Sequence, residues 1–302
     1  MARILVSGLI NIETTLRIEG FPLEYYPVTY PFGGVASTVS GVGLNVARAL
    51  QVLGHDVVLC AMVGRDPAGR WVRDQLSRWG LSDQGVVDAL EATPQSVILY
   101  DAQGRRQIHV DLKNIQDMAY PRDPLACHRP FDLAVLCNIN FNRRLIASVQ
   151  AVGIPIATDV HAVSEIDDAY NRDFMAAADW LFMSNEHLRG REAAFAREVH
   201  ARYQPDVLVM GLGAQGALVM ECNEHEPRAL AAVSPRPVVS TIGAGDALFS
   251  GFLHGRLHGL DTTASLRQAM VFAAWKIGCA SASEGFLDAT GLTRLAGTPP
   301  GS

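Results

Sequence analysis

Ser240-Thr241-Ile242-Gly243-Ala244-Gly245-Asp246 is the stretch of this chain whose residue types and spacing best suit chemistry. Small residues at 243–245 let the backbone pass close to a ligand. A helix expected at about 246–254 would aim free amides and the positive end of its dipole at the same point. Phosphate suits such a place. Asp246, in the first helical turn, could take the proton of an attacking hydroxyl while the Gly243, Ala244 and Gly245 amides hold the charge of a transferring phosphoryl group. A carboxylate is a weak base for an alcohol, but in a loose transition state the proton moves late and positioning counts for more. Taken alone, the run also admits a reading in which Asp246 only complements the helix dipole.

Two other constellations could hold a polyhydroxylated molecule. Asn11 follows the first strand and can both donate and accept, as neighbouring hydroxyls require, and Glu13 can accept from two of them. The same pair could instead cap local backbone. Gly41 and Gly43 would let a ligand approach the backbone and Asn45 would hydrogen-bond it, or Asn45 could cap the helix that starts there. Gly211-Leu212-Gly213-Ala214-Gln215-Gly216 follows a strand and reads either as a phosphate-facing turn or as a hairpin. His161, after Asp159, and the pair Asn138 and Asn140 lie at strand ends where substrate contacts and capping are both open. Cys60, Cys127, Cys137, Cys222 and Cys279 are scattered and never paired as Cys-x-x-Cys, so neither a zinc site nor a disulfide framework is expected.

The elements that must position these residues follow from hydrophobic period. Ile4 to Ser7 reads as a buried strand and 43–53 as a helix. Residues 14–40 are rich in Thr, Tyr, Val, Pro and Gly, and 95–100 with 106–110 flank the turn Asp101-Ala102-Gln103-Gly104. Both read as parts of one small β insertion, a lid. Strands at 56–62, 133–137, 154–159, 180–183 and 206–210 alternate with helices at 68–79, 143–152, 169–177 and 191–203. Such alternation implies a mainly parallel sheet covered on both faces, with ligands at the carboxyl ends of its strands. A strand at 217–221 and a helix at 263–282 complete the pattern, and the tail 297–302 is expected to fray. The expected architecture is one α/β domain over residues 1–302, with lid insertions at about 14–40 and 95–110.

Twenty-five basic residues against 31 acidic ones give a formal net charge of −6, which offers a nucleic acid no general attraction. The apolar windows are broken by glycines and fall short of the roughly 20 residues a spanning helix needs, so no membrane segment is expected. With no signal-peptide pattern at the start and unpaired cysteines, a cytoplasmic protein is expected.

The run at 243–246 resembles the C-terminal signature of the ribokinase-like, PfkB-type carbohydrate kinases. Gly8-Leu9-Ile10-Asn11-Ile12-Glu13 through Glu19-Gly20-Phe21-Pro22 is similar to that family's opening, and Gly41-Val42-Gly43-Leu44-Asn45-Val46-Ala47-Arg48-Ala49-Leu50 to its N-terminal Gly-rich signature. Gly64 to Gly69 and Asp101 to Arg105 also sit where such kinases have similar residues. The resemblance implies an α/β/α sandwich with a small β lid and transfer of the γ-phosphoryl group of ATP to a primary hydroxyl. Asp246 would be the base, Gly243, Ala244 and Gly245 the anion hole, and Asn11, Glu13, Gly41, Gly43 and Asn45 the acceptor site. Asn185, Gly211, Gly213, Gly216 and Thr241 would face the nucleotide and its magnesium, and 280–285 would wrap adenine.

Several residues depart from the pattern. Such kinases carry Asn-x-x-Glu, but here Leu188 stands three residues after Asn185, and Glu186 is out of register, so the metal ligands are left open. Ser240-Thr241 replaces the frequent Asp-Thr, as in the phosphofructokinase branch, which removes a carboxylate that could support a monovalent cation and leaves potassium activation open. Glu13 stands for the commoner Asp and Val42 where ribokinases carry Lys. A sugar or sugar-like acceptor is expected first, a nucleoside second, and a phosphosugar third on Ser240-Thr241, Arg105 and Arg106. A non-catalytic sugar or nucleotide sensor is the reading from another class. Aromatic lid residues such as Tyr25, Tyr26 and Tyr30 favour a homodimer paired through the lids.

Overall fold

The computed structural model describes residues 1–126, 129–279 and 281–297. In chain order the elements begin with β1 (Arg3–Ser7), β2 (Asn11–Arg17), β3 (Val35–Ser40), α1 (Val42–Val52), β4 (Asp56–Gly64), α2 (Pro67–Trp79), β5 (Val86–Leu90), β6 (Gln95–Tyr100) and β7 (Arg106–Asp111). There follow β8 (Leu133–Leu136), α3 (Arg143–Ala151), β9 (Ile156–Ala162), α4 (Arg172–Ala177), β10 (Trp180–Ser184), α5 (Glu192–Tyr203) and β11 (Val207–Gly211). The last are β12 (Ala217–Glu221), β13 (Arg228–Leu230), α6 (Ala244–Leu257), α7 (Thr262–Lys276) and α8 (Ala289–Ala296).

Nine strands form the main sheet in the order β13-β12-β11-β10-β9-β8-β1-β4-β5. From β11 to β5 every pairing is parallel, and β12 and β13 close one side antiparallel. Because successive side chains point to opposite faces, the strands feed two helical layers. Ile4 and Val6 of β1 and Val207 and Val209 of β11 pack with Leu44, Val72, Phe249, Phe252 and Leu266 of α1, α2, α6 and α7. Leu5 meets Leu145 and Val149 of α3, and Leu208 and Met210 meet Phe174 and Phe195 of α4 and α5. The result is the expected three-layer α/β/α sandwich.

A second sheet has the order β3-β2-β6-β7. Its centre is the parallel pair β2 and β6, with β3 and β7 antiparallel on the outside. The register puts Asn11, Glu13 and Thr15 on one face with Ser96, Ile98, Ile108 and Val110, and Thr14, Leu16, Val35, Val97 and Leu99 on the other. The inner strand begins at Asn11, three residues before the expected insertion, and residues 21–34 cross between β2 and β3 without strand.

Several boundaries correct the sequence reading. The helix expected from 246 begins at Ala244 and runs to Leu257, because Gly243 takes the left-handed conformation and serves as its N-cap. The helix expected at 263–282 stops at Lys276; 277–279 continue as turns, with the Gly278 and Cys279 amides bonding three residues back. There the Ile277 carbonyl is taken by the amides of Val239 and Ser240, so the helix end serves a neighbouring segment instead of its own next turn. β5, β13 and α8 were not expected. β5 and β13 are short, and α8 carries Gly291 in its first turn, where the Asp288 side chain accepts from the Gly291 amide. Ala280 and residues 298–302, on which the adenine-wrap and frayed-tail expectations fall in part, lie outside the described residues.

Candidate active site

Parallel packing brings the carboxyl ends of β1, β9, β10 and β11 to one edge of the main sheet, and there the amino end of α1 meets the second, inner sheet with the amino end of α6 beside it. Gly243 has φ 76°, which few side-chain-bearing residues adopt, and a Cβ on it would lie 3.0 Å from the Ala282 carbonyl oxygen. In this turn the Ala244 amide donates to the Thr241 carbonyl at 3.2 Å, and toward the end of β9 a Cβ on Gly245 would find only Asp159 Oδ2, at 3.9 Å.

Asp246 is buried in that first turn. Asn45 Nδ2 donates to its Oδ2 at 2.7 Å, and the Ser40 hydroxyl lies 3.3 Å from Asn45 Oδ1 and 3.2 Å from Glu13 Oε2. A polar chain therefore runs Glu13, Ser40, Asn45, Asp246, and the single Ser40 proton serves one acceptor at a time. Burial pushes the Asp246 carboxyl above the usual carboxylate range; the Asn45 hydrogen bond and the nearby His161 and Lys276 pull it down, and Asp159 adds to the rise. Burial likewise raises Glu13, with Ser40, Lys276 and Arg106 opposing and Asp246 reinforcing. The helix-capping alternative for Asn45 is not what the structure contains: α1 has Gly41 at its N-cap and no side-chain cap.

Asn11 lies beside this chain. Its Nδ2 donates to Ser96 Oγ at 2.9 Å, while its Oδ1 is buried and accepts no hydrogen bond among the described residues. Such an atom is costly unless something completes it. Gly41 and Gly43 have a different neighbour from the one expected. A Cβ on Gly43 would overlap Gly8 at 2.6 Å and one on Gly41 the Leu9 carbonyl at 2.6 Å, so their smallness lets α1 press against the β1–β2 link that carries Asn11.

The residues expected to face a nucleotide also come together. The Asn185 amide donates to the Gly211 carbonyl at 3.0 Å, joining the ends of β10 and β11. Gly211 to Gly216 turns β11 into the antiparallel β12, so the hairpin reading of that run holds. Within it a Cβ on Gly213 would meet open space, whereas Gly216 is pressed against Leu230 and Ala231. Arg106, from the inner sheet, donates to the Thr241 carbonyl at 3.2 Å and hydroxyl at 3.3 Å and pairs with Glu186 at 3.3 Å, linking the second sheet to the anion turn and the end of β10. Arg105 is otherwise engaged: it bonds Asp101 at 2.7 Å and lies over the Phe21 ring. Asn138 and Asn140 are tied to Asn171 and Gln116, a structural use.

Two contributions escaped the sequence reading. Leu188 is buried, but Glu192, at the start of α5, accepts from the Gly190 amide at 3.1 Å, and its own backbone amide, then that of Gly190 and the nearby Asn185 side chain, hold its carboxyl below the usual range. Asn185 thus has an acid beside it from outside the expected spacing, after a tight bend through Arg189 and Gly190 at positive φ. The second is Lys276, fully buried at the end of α7, whose Nζ donates to the Ile242 carbonyl at 3.1 Å.

The pfkB family carbohydrate kinase profile matches residues 1–289. The chain is 30% identical over 298 residues to an acarbose 7(IV)-phosphotransferase of Actinoplanes sp., covering 97% of this chain and 98% of that protein. It is 31% identical over 257 residues to a 1-phosphofructokinase of Haloferax volcanii, covering 80% and 81%. The fold superimposes on a microbiome-derived acarbose kinase with a TM-score of 0.82 at 25% identity, over 98% of this chain and 99% of that one. This chain belongs to the pfkB family of carbohydrate kinases, phosphotransferases with an alcohol group as acceptor.

Proposed function

We propose that this kinase transfers the γ-phosphoryl group of ATP to a primary hydroxyl of a sugar or sugar-like molecule, with Asp246 as the base. The observation that carries this reading is the buried carboxylate in the first turn of α6, behind Gly243 and bonded to Asn45. A hydroxyl seated there gives its proton to Asp246 as its oxygen bonds to phosphorus, and the bond from phosphorus to the ADP oxygen breaks. The Gly243, Ala244 and Gly245 amides and the positive end of the α6 dipole stabilise the charge on the transferring group. Asn11 Oδ1 and Glu13 accept from other hydroxyls of the acceptor, which completes the otherwise orphaned Asn11 oxygen. Asn185, Gly211, Gly213, Gly216 and Thr241 face the nucleotide.

Magnesium suits the oxygen donors on that side, Asn185, Glu186 and Glu192. When bound it neutralises phosphate charge. The second sheet acts as the lid, since the face with Asn11 and Glu13 turns toward Asp246 and Arg106 closes on Thr241. Ile108 and Val110 share that face and are exposed, which leaves an apolar rim with room for an acceptor larger than a monosaccharide. The similarity to an enzyme named for acarbose points the same way. The opposite face, with Leu16, Val35, Val97 and Leu99, is apolar and partly exposed and would be covered by the lid of a second copy. The free thiols of Cys60, Cys137, Cys222 and Cys279 suit a cytoplasmic enzyme.

A phosphosugar acceptor is the second reading, favoured by Arg106 at the mouth of the site and by the likeness to a 1-phosphofructokinase. The test is ADP release from ATP with acarbose, free hexoses and pentoses, sugar phosphates and nucleosides offered separately. Turnover with a free sugar or acarbose well above the rest supports the first reading, a sugar phosphate the second, and nucleotide binding without turnover on any acceptor a sensor.

A further inference from the structure

Among the described residues Lys276 is the fully buried cation that this mechanism leaves without a task. It ends α7, and its Nζ donates to the carbonyl of Ile242, the residue before the left-handed Gly243. The next residue, Ile277, accepts from the amides of Val239 and Ser240 at 2.8 and 3.0 Å. The end of α7 therefore grips the whole approach to the anion turn through three hydrogen bonds. Burial lowers the pKa of this ammonium and Arg236 adds to the fall, while Cys279 and the two buried carboxyls of the site, Asp246 and Glu13, favour the charged form.

A monovalent cation, which the sequence left open, does not fit this arrangement. Ser240 brings a hydroxyl where a carboxylate would help hold such an ion, and that hydroxyl lies 3.3 Å from the Ile242 amide, which donates to it. The Ile242 carbonyl, a backbone oxygen that could otherwise face a cation under this turn, already accepts from Lys276. We infer that the Lys276 ammonium is a built-in cation, a positioning residue that holds residues 239–246 in the conformation presenting the α6 amides, so that the enzyme works without potassium or sodium.

A covalently tethered charge at a buried site needs no ion recruited from solution and stays in place through each turnover. It attracts the Ile242 carbonyl dipole behind the turn and so holds the segment that leads into the first turn of α6.

This inference rests on the proposed phosphoryl transfer, so its test has one arm that needs no acceptor. Affinity for a non-hydrolysable ATP analogue with magnesium is measured in potassium, sodium and tetramethylammonium salts at matched ionic strength, for wild type, Lys276→Met and Lys276→Ala. Wild-type affinity should be the same in all three salts, and the Ala variant, which opens space for an ion, should weaken by about tenfold and recover in potassium or methylammonium. Where an acceptor supports turnover, kcat of the Met variant should fall by about a hundredfold with a smaller change in KM, and methylammonium should partly restore the Ala variant. Severalfold activation or tightening of the wild type by potassium would overturn the inference, as would a folded Met variant with wild-type kcat and affinity. If neither variant folds, the salt series on wild type decides. Failure of every acceptor counts against the kinase chemistry alone, since the binding arm still reads Lys276.

Discussion

Asp246 and Asn45 form the contact on which the proposed chemistry turns, a buried carboxylate tied to an amide at 2.7 Å from another helix. Replacing Asp246 by Asn removes the proton acceptor and keeps the shape. It should lower kcat by about 10²- to 10⁴-fold while leaving ATP-analogue affinity within a few-fold. Activity close to wild type would take the base role away from Asp246. Because burial raises its pKa, the acid limb of kcat/KM should fall at a pH above the ordinary carboxylate value of about 3.9, with activity lost as pH drops. In Asn45→Ala the Asp246 oxygen and the Ser40 hydroxyl both lose a partner. Acceptor kcat/KM should fall by about a hundredfold with little change in nucleotide affinity. A loss confined to thermal stability would make Asn45 a packing residue.

At the scale of elements, α6 joins the site to the opposite end of the molecule. Its N-cap is Gly243, and near its C-terminus His254 Nδ1 meets His55 Nε2 at 2.9 Å, with His258 packed against both rings. Alanine at Gly243 would occupy a left-handed conformation at a cost of roughly 1–2 kcal/mol and press on Ala282. Gly243→Ala should therefore lower both Tm and kcat, and an unchanged kcat would argue against amide positioning by this turn. At the other end burial, with smaller contributions from neighbouring positive groups, lowers His55 from 6.5 to about 4 and His254 to about 3. Both are neutral when folded and take up protons when unfolded below pH 6.5. Their contribution to stability is therefore complete above that pH and is lost as pH falls toward 4 for His55 and 3 for His254. Thermal melts across this window should slope downward with acid, and His254→Gln should flatten the slope even if it lowers Tm throughout. Equal slopes would place the acid sensitivity elsewhere.

For the whole molecule the open question is what covers the outer face of the second sheet. Val35 and Val97 there are 58% and 43% exposed, and Tyr25, Tyr30 and Phe32 of the neighbouring crossing segment are more exposed still. An apolar surface of this kind, continuous with partly exposed Leu16 and Leu99, favours a two-fold pair of lids. Light scattering should give twice the 32.6 kDa chain mass for wild type and a monomer for Val97→Asp combined with Tyr30→Asp. A wild-type monomer would sink the pairing, and a dimer indifferent to both changes would move the interface.

The sequence by itself determined the layered fold. The strand and helix periods at 56–79 and 133–211 are local properties of the chain, and β6, β12 and α2 fall within a residue of where period and turn residues put them. It also marked Gly243 to Asp246, because small residues before a helix carry their own conformational meaning. Only the tertiary structure decided the partnerships. Asn45 and Asp246 are 201 residues apart, and no local pattern can report that one bonds the other. Gly41 and Gly43 read as room for a ligand, yet the volume they spare is filled by the chain's own β1–β2 link. Glu192 comes near Asn185 only because the chain bends at Arg189 and Gly190. Lys276, one lysine at the end of an apolar helix, looks in sequence like a cation favoured by the helix dipole. Its burial under Ile242 is set by where α7 packs against α6, through long-range contacts that sequence spacing does not encode.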